Sequence, residues 1–182
     1  RLLELEVLKV MYKNQMATSI ESIVRIDLDQ FYGIEYDEWP VRIAEVALWL
    51  IDHQMNIMIS EEFGQYFVRL PLKKSTNIIH GNALRLNWEE VVPKLELSYI
   101  IGNPPFLGHH NQNSIQKEDI KLNLSSIKAF GVLDYVSAWF YIASKYIQGS
   151  KIKVAFVSTN SIFQGEQVGI LWNILINDLN IK

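Results

Sequence analysis

The sequence predicts an α/β fold built on a mostly parallel sheet, and three observations carry that expectation. Short apolar runs at 31–35, 77–84, 99–103 and 153–160 stop at Gly, Asn, Pro or an acid, as buried strands do. Longer segments with apolar residues at helical spacing separate them, and this alternation of strand and helix favours parallel pairing. The run Val154-Ala155-Phe156-Val157 is continuously apolar rather than alternating, which suits a strand covered on both faces. At 182 residues, 49% hydrophobic and 20% charged, the chain has ordinary globular composition and fits one domain.

Taken in order, Leu2, Leu3, Leu5, Val7, Leu8, Val10 and Met11 make an opening helix with no capping residue before it, so the chain is expected to be a fragment. A polar connector follows, from about Asn14 to Gln30. Phe31 to Glu35 reads as a strand, and Asp37 and Pro40 start a helix from its N-cap and first turn. In that helix, to Gln54, Arg42, Glu45 and Asp52 fall on one polar stripe, and the apolar remainder is expected to pack against a sheet. Met55 to Thr76 is expected to be irregular, with Phe63, Tyr66 and Phe67 tucking into the core or covering a sheet edge. Asn77 to Leu84 gives a second strand ending in Gly81-Asn82, and Tyr99 to Asn103 a third. Leu107 to Gly131 reads as a long loop whose Lys117, Lys121 and Lys128 could touch phosphates. An apolar helix at Asp134–Ile147, a strand at Lys153–Asn160 and a helix through Ile170, Leu171, Ile174 and Leu175 complete the chain.

Composition narrows the chemistry. With no cysteine there is no disulfide, no thiolate metal site and no cysteine nucleophile, which excludes attack on a pyrimidine ring of the kind that methylation at cytosine carbon 5 needs. His53, His80, His109 and His110 stand outside any ligand spacing, so no metal site is expected. No Pro-Asp-(Asp/Glu)-x-Lys-like nuclease constellation occurs. A formal net charge of −3 is not that of a domain gripping nucleic acid by its phosphates. No apolar run reaches the roughly 18 residues of a membrane span and no leader opens the chain, so a cytoplasmic protein is expected.

The chemistry concentrates at Asn103-Pro104-Pro105-Phe106. Two prolines without N–H groups fix the backbone after a strand and leave the Asn103 and Pro104 carbonyls free. An amide oxygen beside a carbonyl makes a pair of acceptors suited to an –NH2 group, and Phe106 offers a face on which an aromatic ring can stack. Amino group plus aromatic ring describes a nucleobase. Glu35, an acid at the end of a strand before a helix, is placed as acids that bind ribose hydroxyls are. Asn82 could present its amide to an adenine ring or close a local turn.

With these strands in this order, the sequence resembles the Rossmann-like, S-adenosylmethionine-dependent amino-methyltransferases of DNA. Tyr32-Gly33-Ile34-Glu35, Ala44 to Leu50 and Gly165-Glu166-Gln167 are especially like the fused restriction-modification enzymes of the MmeI-like kind. The resemblance implies that Glu35 binds the cofactor ribose, that Tyr36 flanks the adenine, and that Asn82, with Ala83 beside it, contacts the adenine amino group. Asn82 departs mildly from the Asp common at that place. Asn103 and Pro104 would accept hydrogen bonds from the target N6 amino group, Pro105 would fix the turn, and Phe106 would stack on the flipped base.

The family's glycine-rich loop has no counterpart, because the nine glycines are scattered and no G-x-G cluster occurs. Residues 1–182 are therefore expected to be part of a single methyltransferase catalytic domain, lacking the first strand and that loop, and inactive alone. Either Phe31–Glu35 and Tyr99–Asn103 close up and pair, or they leave edges for another chain, including a second copy. Double-stranded DNA would be gripped through a recognition domain elsewhere. Two other readings are methylation of protein glutamine or RNA, and a non-catalytic α/β interaction module. The amino group of cytosine is a further acceptor, though Asn before the prolines fits adenine better.

Overall fold

A computed structural model describes residues 1–12, 19–67 and 76–181. The chain divides into two compact units, residues 1–82 and 83–182. Of the connector expected at 14–30, residues 14–18 lie outside the described residues, as do residues 68–75 of the stretch expected to be irregular at 55–76.

The first unit holds α1 (Leu2–Met11), a short α2 (Ile20–Ile23), β1 (Tyr32–Glu35), α3 (Glu38–Phe63) and β2 (Asn77–His80). β1 and β2 pair in parallel, with Tyr32 opposite Asn77 and Glu35 opposite His80. The pairing is close at Gly33, where a Cβ would come 2.8 Å from Cδ1 of Ile78. Asp37 is the N-cap of α3 by backbone conformation but makes no side-chain capping bond, and the helix ends at Gly64 in the left-handed conformation. α3 therefore runs past Gln54 through a segment expected to be irregular. Its second half carries Met55 and Ile59, which pack with Leu5, Leu8, Ile20, Val24 and Phe67 into the core of this unit. Phe67 is a core residue as expected, whereas Tyr66 is 91% exposed.

The expected polar stripe of α3 is corrected at Asp52. Its side chain is buried and accepts from Arg1 at 3.0 Å and from the amide of Asn56 at 3.0 Å. Arg1 also binds Asn56 and Glu4, and Glu4 in turn accepts from the backbone N–H of Ile26 at 2.9 Å. A buried carboxylate persists only when its partners replace water, which is why this acid sits on the core side. Conversely Trp39, Ile43, Val46, Leu50 and Ile51 on α3 are exposed.

The second unit holds α4 (Trp88–Val91), β3 (Tyr99–Gly102), α5 (Ser114–Leu124), α6 (Ser137–Tyr146), β4 (Lys153–Phe156) and α7 (Glu166–Asn173). β3 and β4 pair in parallel, Tyr99 with Lys153 through Gly102 with Phe156. Among the described residues the strands thus form two separate two-stranded sheets. Phe31–Glu35 pairs with β2 rather than with Tyr99–Asn103, whose partner is β4. Ile101 is 81% exposed on β3, so one face of this sheet presents apolar side chains.

The long loop expected at 107–131 is corrected as well, since it contains α5. Asn113 caps it by accepting from the backbone of Gln116, whose side chain accepts from the Asn113 N–H. Ile120 and Leu124 then face the core, with Ile127, Leu133, Val136, Ile162, Leu171 and Leu175. The aromatic residues of α6 flank this core: Phe140 packs edge-on against Phe156 and Trp139 against Tyr135.

Asp52→Ala would remove one of the two carboxylates on the buried Arg1 guanidinium, with Glu4 remaining at 3.2 Å, and take this acceptor from the buried Asn56 amide. Urea unfolding is expected to show a loss of about 1–3 kcal/mol, against under about 0.5 kcal/mol for Arg42→Ala on the exposed side of α3.

Candidate active site

In the first unit, the carboxyl ends of β1 and β2 lie side by side, and Glu35, Tyr36 and Asn82 of the expected cofactor residues stand there. The backbone carbonyl of Glu35 accepts from Gly81 N–H at 2.8 Å, extending the parallel pairing one residue past the strands. The Glu35 side chain is exposed, and Tyr36 is 62% exposed. Nε2 of His80 lies 3.0 Å from the Tyr36 carbonyl, so that nitrogen carries a proton and donates. Asn82 is half-buried just beyond β2. The backbones of Glu35 and Tyr36 are thus fixed while their side chains face outward, an arrangement able to receive hydroxyls and a flat ring.

In the second unit, β3 ends at Gly102 and Asn103-Pro104-Pro105-Phe106 follows at its carboxyl end. Val157 N–H donates to the Gly102 carbonyl at 2.9 Å, the last bond before the prolines remove further donors. Pro104 is buried and anchors the turn; Asn103, Pro105 and Phe106 are exposed. Among the described residues the Asn103 side chain engages no hydrogen-bond partner, and its amide oxygen remains an available acceptor. Gly102 is close to the β4 side: a Cβ there would meet the Phe156 ring at 3.3 Å.

What fixes the turn comes, Gln167 apart, from residues the sequence did not single out. Immediately after Phe106, the Leu107 carbonyl accepts from Tyr135 N–H at 2.8 Å. Buried Gln112 donates to the Leu133 carbonyl at 3.0 Å. Asp134 is buried and bonded twice to Gln167, whose carbonyl oxygen accepts from Asp134 N–H at 3.1 Å and whose amide donates to the carboxylate at 2.9 Å. The same amide reaches the Ser161 carbonyl at 2.6 Å, tying the segment after β4 to the start of α7. The Gly165-Glu166-Gln167 stretch thus has a structural role through its glutamine. The signal available in the sequence was the Asn113–Gln116 capping pattern, which reveals α5 and the turn before it.

Ala83 is the one expected cofactor residue in the second unit. Its carbonyl accepts from the Trp88 indole N–H at 2.9 Å, and the next carbonyl, of Leu84, accepts from Asn123 at 2.9 Å. Arg85 follows with Nε on Asp119 at 2.6 Å and Nη2 on Glu118 at 3.0 Å. The hydrogen bonds and charges of these two acids hold the guanidinium pKa above its usual value. Burial, with the charge of Glu89 adding to it, pushes the Tyr146 hydroxyl up as well, and that hydroxyl donates to the Val92 carbonyl.

In the first unit an acid closes one parallel strand, and in the second an Asn-Pro-Pro-aromatic turn closes another. The family model described as MmeI, DNA-methyltransferase domain, matches residues 1–182, and the chain belongs to that family. DNA methyltransferase A of Bacillus subtilis (strain 168) is 45% identical over 152 residues, covering 81% of this chain and 17% of that protein. The solved structure of the Type IIL restriction-modification enzyme MmeI in complex with DNA is similar at TM-score 0.89 and 48% identity, over 97% of this chain and 24% of that one. The chain thus spans about a fifth of the length of these relatives.

Gly102→Val would press the Phe156 ring and its contact with Phe140. A loss of about 1–3 kcal/mol is expected in denaturant unfolding, with the near-ultraviolet dichroism of the aromatic cluster altered; Gly131→Ala, where a Cβ meets nothing within 4 Å, is the control.

Proposed function

We propose that this chain is part of the catalytic domain of a DNA methyltransferase that moves a methyl group from S-adenosylmethionine to the N6 amino group of adenine, within a restriction-modification system. The observation that carries the reading is the exposed Asn103 amide standing at the end of β3 on a backbone that Pro104 anchors, with Phe106 exposed three residues on. Family membership supports methyl transfer to DNA. The choice of adenine rests on the acceptor chemistry of an asparagine before the prolines.

The residues present fit part of the cofactor. Glu35 offers a carboxylate for ribose hydroxyls, Tyr36 an exposed ring for the adenine, and Asn82 a side-chain amide just beyond β2, with Ala83 beside it. No glycine cluster in the sequence matches the methionine end. When bound, S-adenosylmethionine supplies an electrophilic methyl on a sulfonium. The chain's own part is positional. The Asn103 side-chain oxygen and the Pro104 carbonyl accept the two N–H bonds of the target amino group, which draws its nitrogen toward tetrahedral geometry and frees the lone pair for in-line attack. Phe106 stacks on the base once it has left the duplex. Exposed Lys117, Lys121 and Lys128 are candidate phosphate contacts, and a recognition domain in the longer protein supplies most of the grip on DNA.

Calorimetric titration of S-adenosylmethionine into the 182-residue chain and into a longer form of the protein tests this reading. Binding is expected in the longer protein, weakened about tenfold or more by Glu35→Ala and by less than about twofold by Asn103→Ala, while Asn103→Ala abolishes methyl transfer to a duplex substrate. A longer protein that binds no cofactor refutes the reading.

A further inference from the structure

Helix α5 carries a carboxylate that the proposed chemistry does not use. Asp119 is 1% exposed, and its two oxygens are divided between two segments of the second unit. Oδ1 accepts from Arg85 Nε at 2.6 Å, and Oδ2 accepts from the Tyr135 hydroxyl at 2.7 Å. Arg85 lies two residues after Ala83, in a segment held again by Asn123, one turn along the same helix, through the Leu84 carbonyl. Tyr135 is 5% exposed, and its backbone N–H donates to the carbonyl of Leu107, the residue after Phe106. A single buried acid therefore links the segment carrying Ala83 to the segment that ends the Asn103–Phe106 turn.

The energetics favour a fixed geometry. A carboxylate this deeply buried is stable only while hydrogen bonds replace its water, so displacing Arg85 or Tyr135 breaks a charge-assisted bond. Both bonds are short and charge-assisted, the strong kind of hydrogen bond. Arg85 is itself 43% exposed in its side chain, so its bond to Asp119 is the buried half of a fork whose other half, on Glu118, faces solvent.

We propose that Asp119 is a positioning residue, setting the distance between the cofactor segment at Ala83–Arg85 and the base-holding turn at Asn103–Phe106 through Arg85 on one oxygen and Tyr135 on the other. The proposal rests on the methyltransferase reading. Methyl transfer in line demands that donor and acceptor be held to within fractions of an ångström, and a misplacement of about 1 Å costs on the order of a hundredfold in rate. The coupling thus acts on kcat, because neither Asp119 nor Tyr135 is required to touch cofactor or base.

The test uses the full-length protein, with Asp119→Asn, Tyr135→Phe and the double variant. Thermal midpoint, kcat and KM for S-adenosylmethionine and duplex DNA are measured, with the emission of 2-aminopurine at the target position as the signature of a flipped, stacked base. Tyr135→Phe keeps the ring against Trp139 and removes only the hydroxyl, so it remains informative if Asp119→Asn folds poorly. Each single variant is expected to lower kcat about tenfold or more with each KM changed less than about threefold, and to diminish the 2-aminopurine signal. The double variant is expected to be no worse than the more severe single one, as for two groups acting through one contact. The proposal is overturned if kcat and the emission stay within about twofold of the unsubstituted protein while only the thermal midpoint falls, or if the two effects multiply. Failure of the unsubstituted protein to bind S-adenosylmethionine or methylate DNA overturns instead the methyltransferase reading, and the proposal with it.

Discussion

Two consecutive prolines at the end of β3 are the constraint on which the candidate site depends. Neither can donate a hydrogen bond, so the parallel ladder with β4 stops at the bond from Val157 to Gly102, and the chain leaves the sheet with its next carbonyls unspent. Pro104 is buried, which converts that loss of pairing into a rigid exit rather than a loose one. The rest of the second unit serves that exit. β4 supplies the last partner, Phe156 packs beside Gly102, and the Tyr135 N–H takes up the chain again at Leu107. Asn103 and Phe106 are exposed in consequence, fixed from both sides and contacted by little.

Where a feature depended on neighbours in sequence, it was legible. The four strands fall within the expected runs, because an apolar run ended by a structure-breaking residue leaves few alternatives. Glu35, Tyr36 and Asn103 also stand exposed at or just past strand ends, where those runs put them. Features that depended on distant partners were not legible. Asp52 looks like one charge of a solvated stripe until Arg1, 51 positions away, is brought to it. Asp119 looks like one acid in a polar loop until Arg85 and Tyr135 close on it. The same polarity hid α5, whose only apolar commitments are Ile120 and Leu124 on one face. Its cap at Asn113 was the local clue.

Pairing between strands illustrates a different limit. A sequence defines which segments are extended but leaves the choice of neighbour to the competition among edges. β1 meets β2 and β3 meets β4, each pair joined by a long connection containing a helix, as parallel strands require. Each unit then builds its own core, around Ile59 in the first and around Leu124, Leu133 and Ile162 in the second.

The bond from Trp88 to the Ala83 carbonyl has a practical consequence. An indole N–H held by a backbone carbonyl emits according to the strength of that bond and the water around it, so a displacement of Ala83 becomes a change in tryptophan colour. Trp172, by contrast, spends its N–H on Ile162 and stacks on Phe163, away from that segment in the chain. The difference spectrum between the protein and a Trp88→Phe version therefore isolates one reporter beside the candidate cofactor segment. The chain carries its own optical label there, with no chemistry needed to attach one.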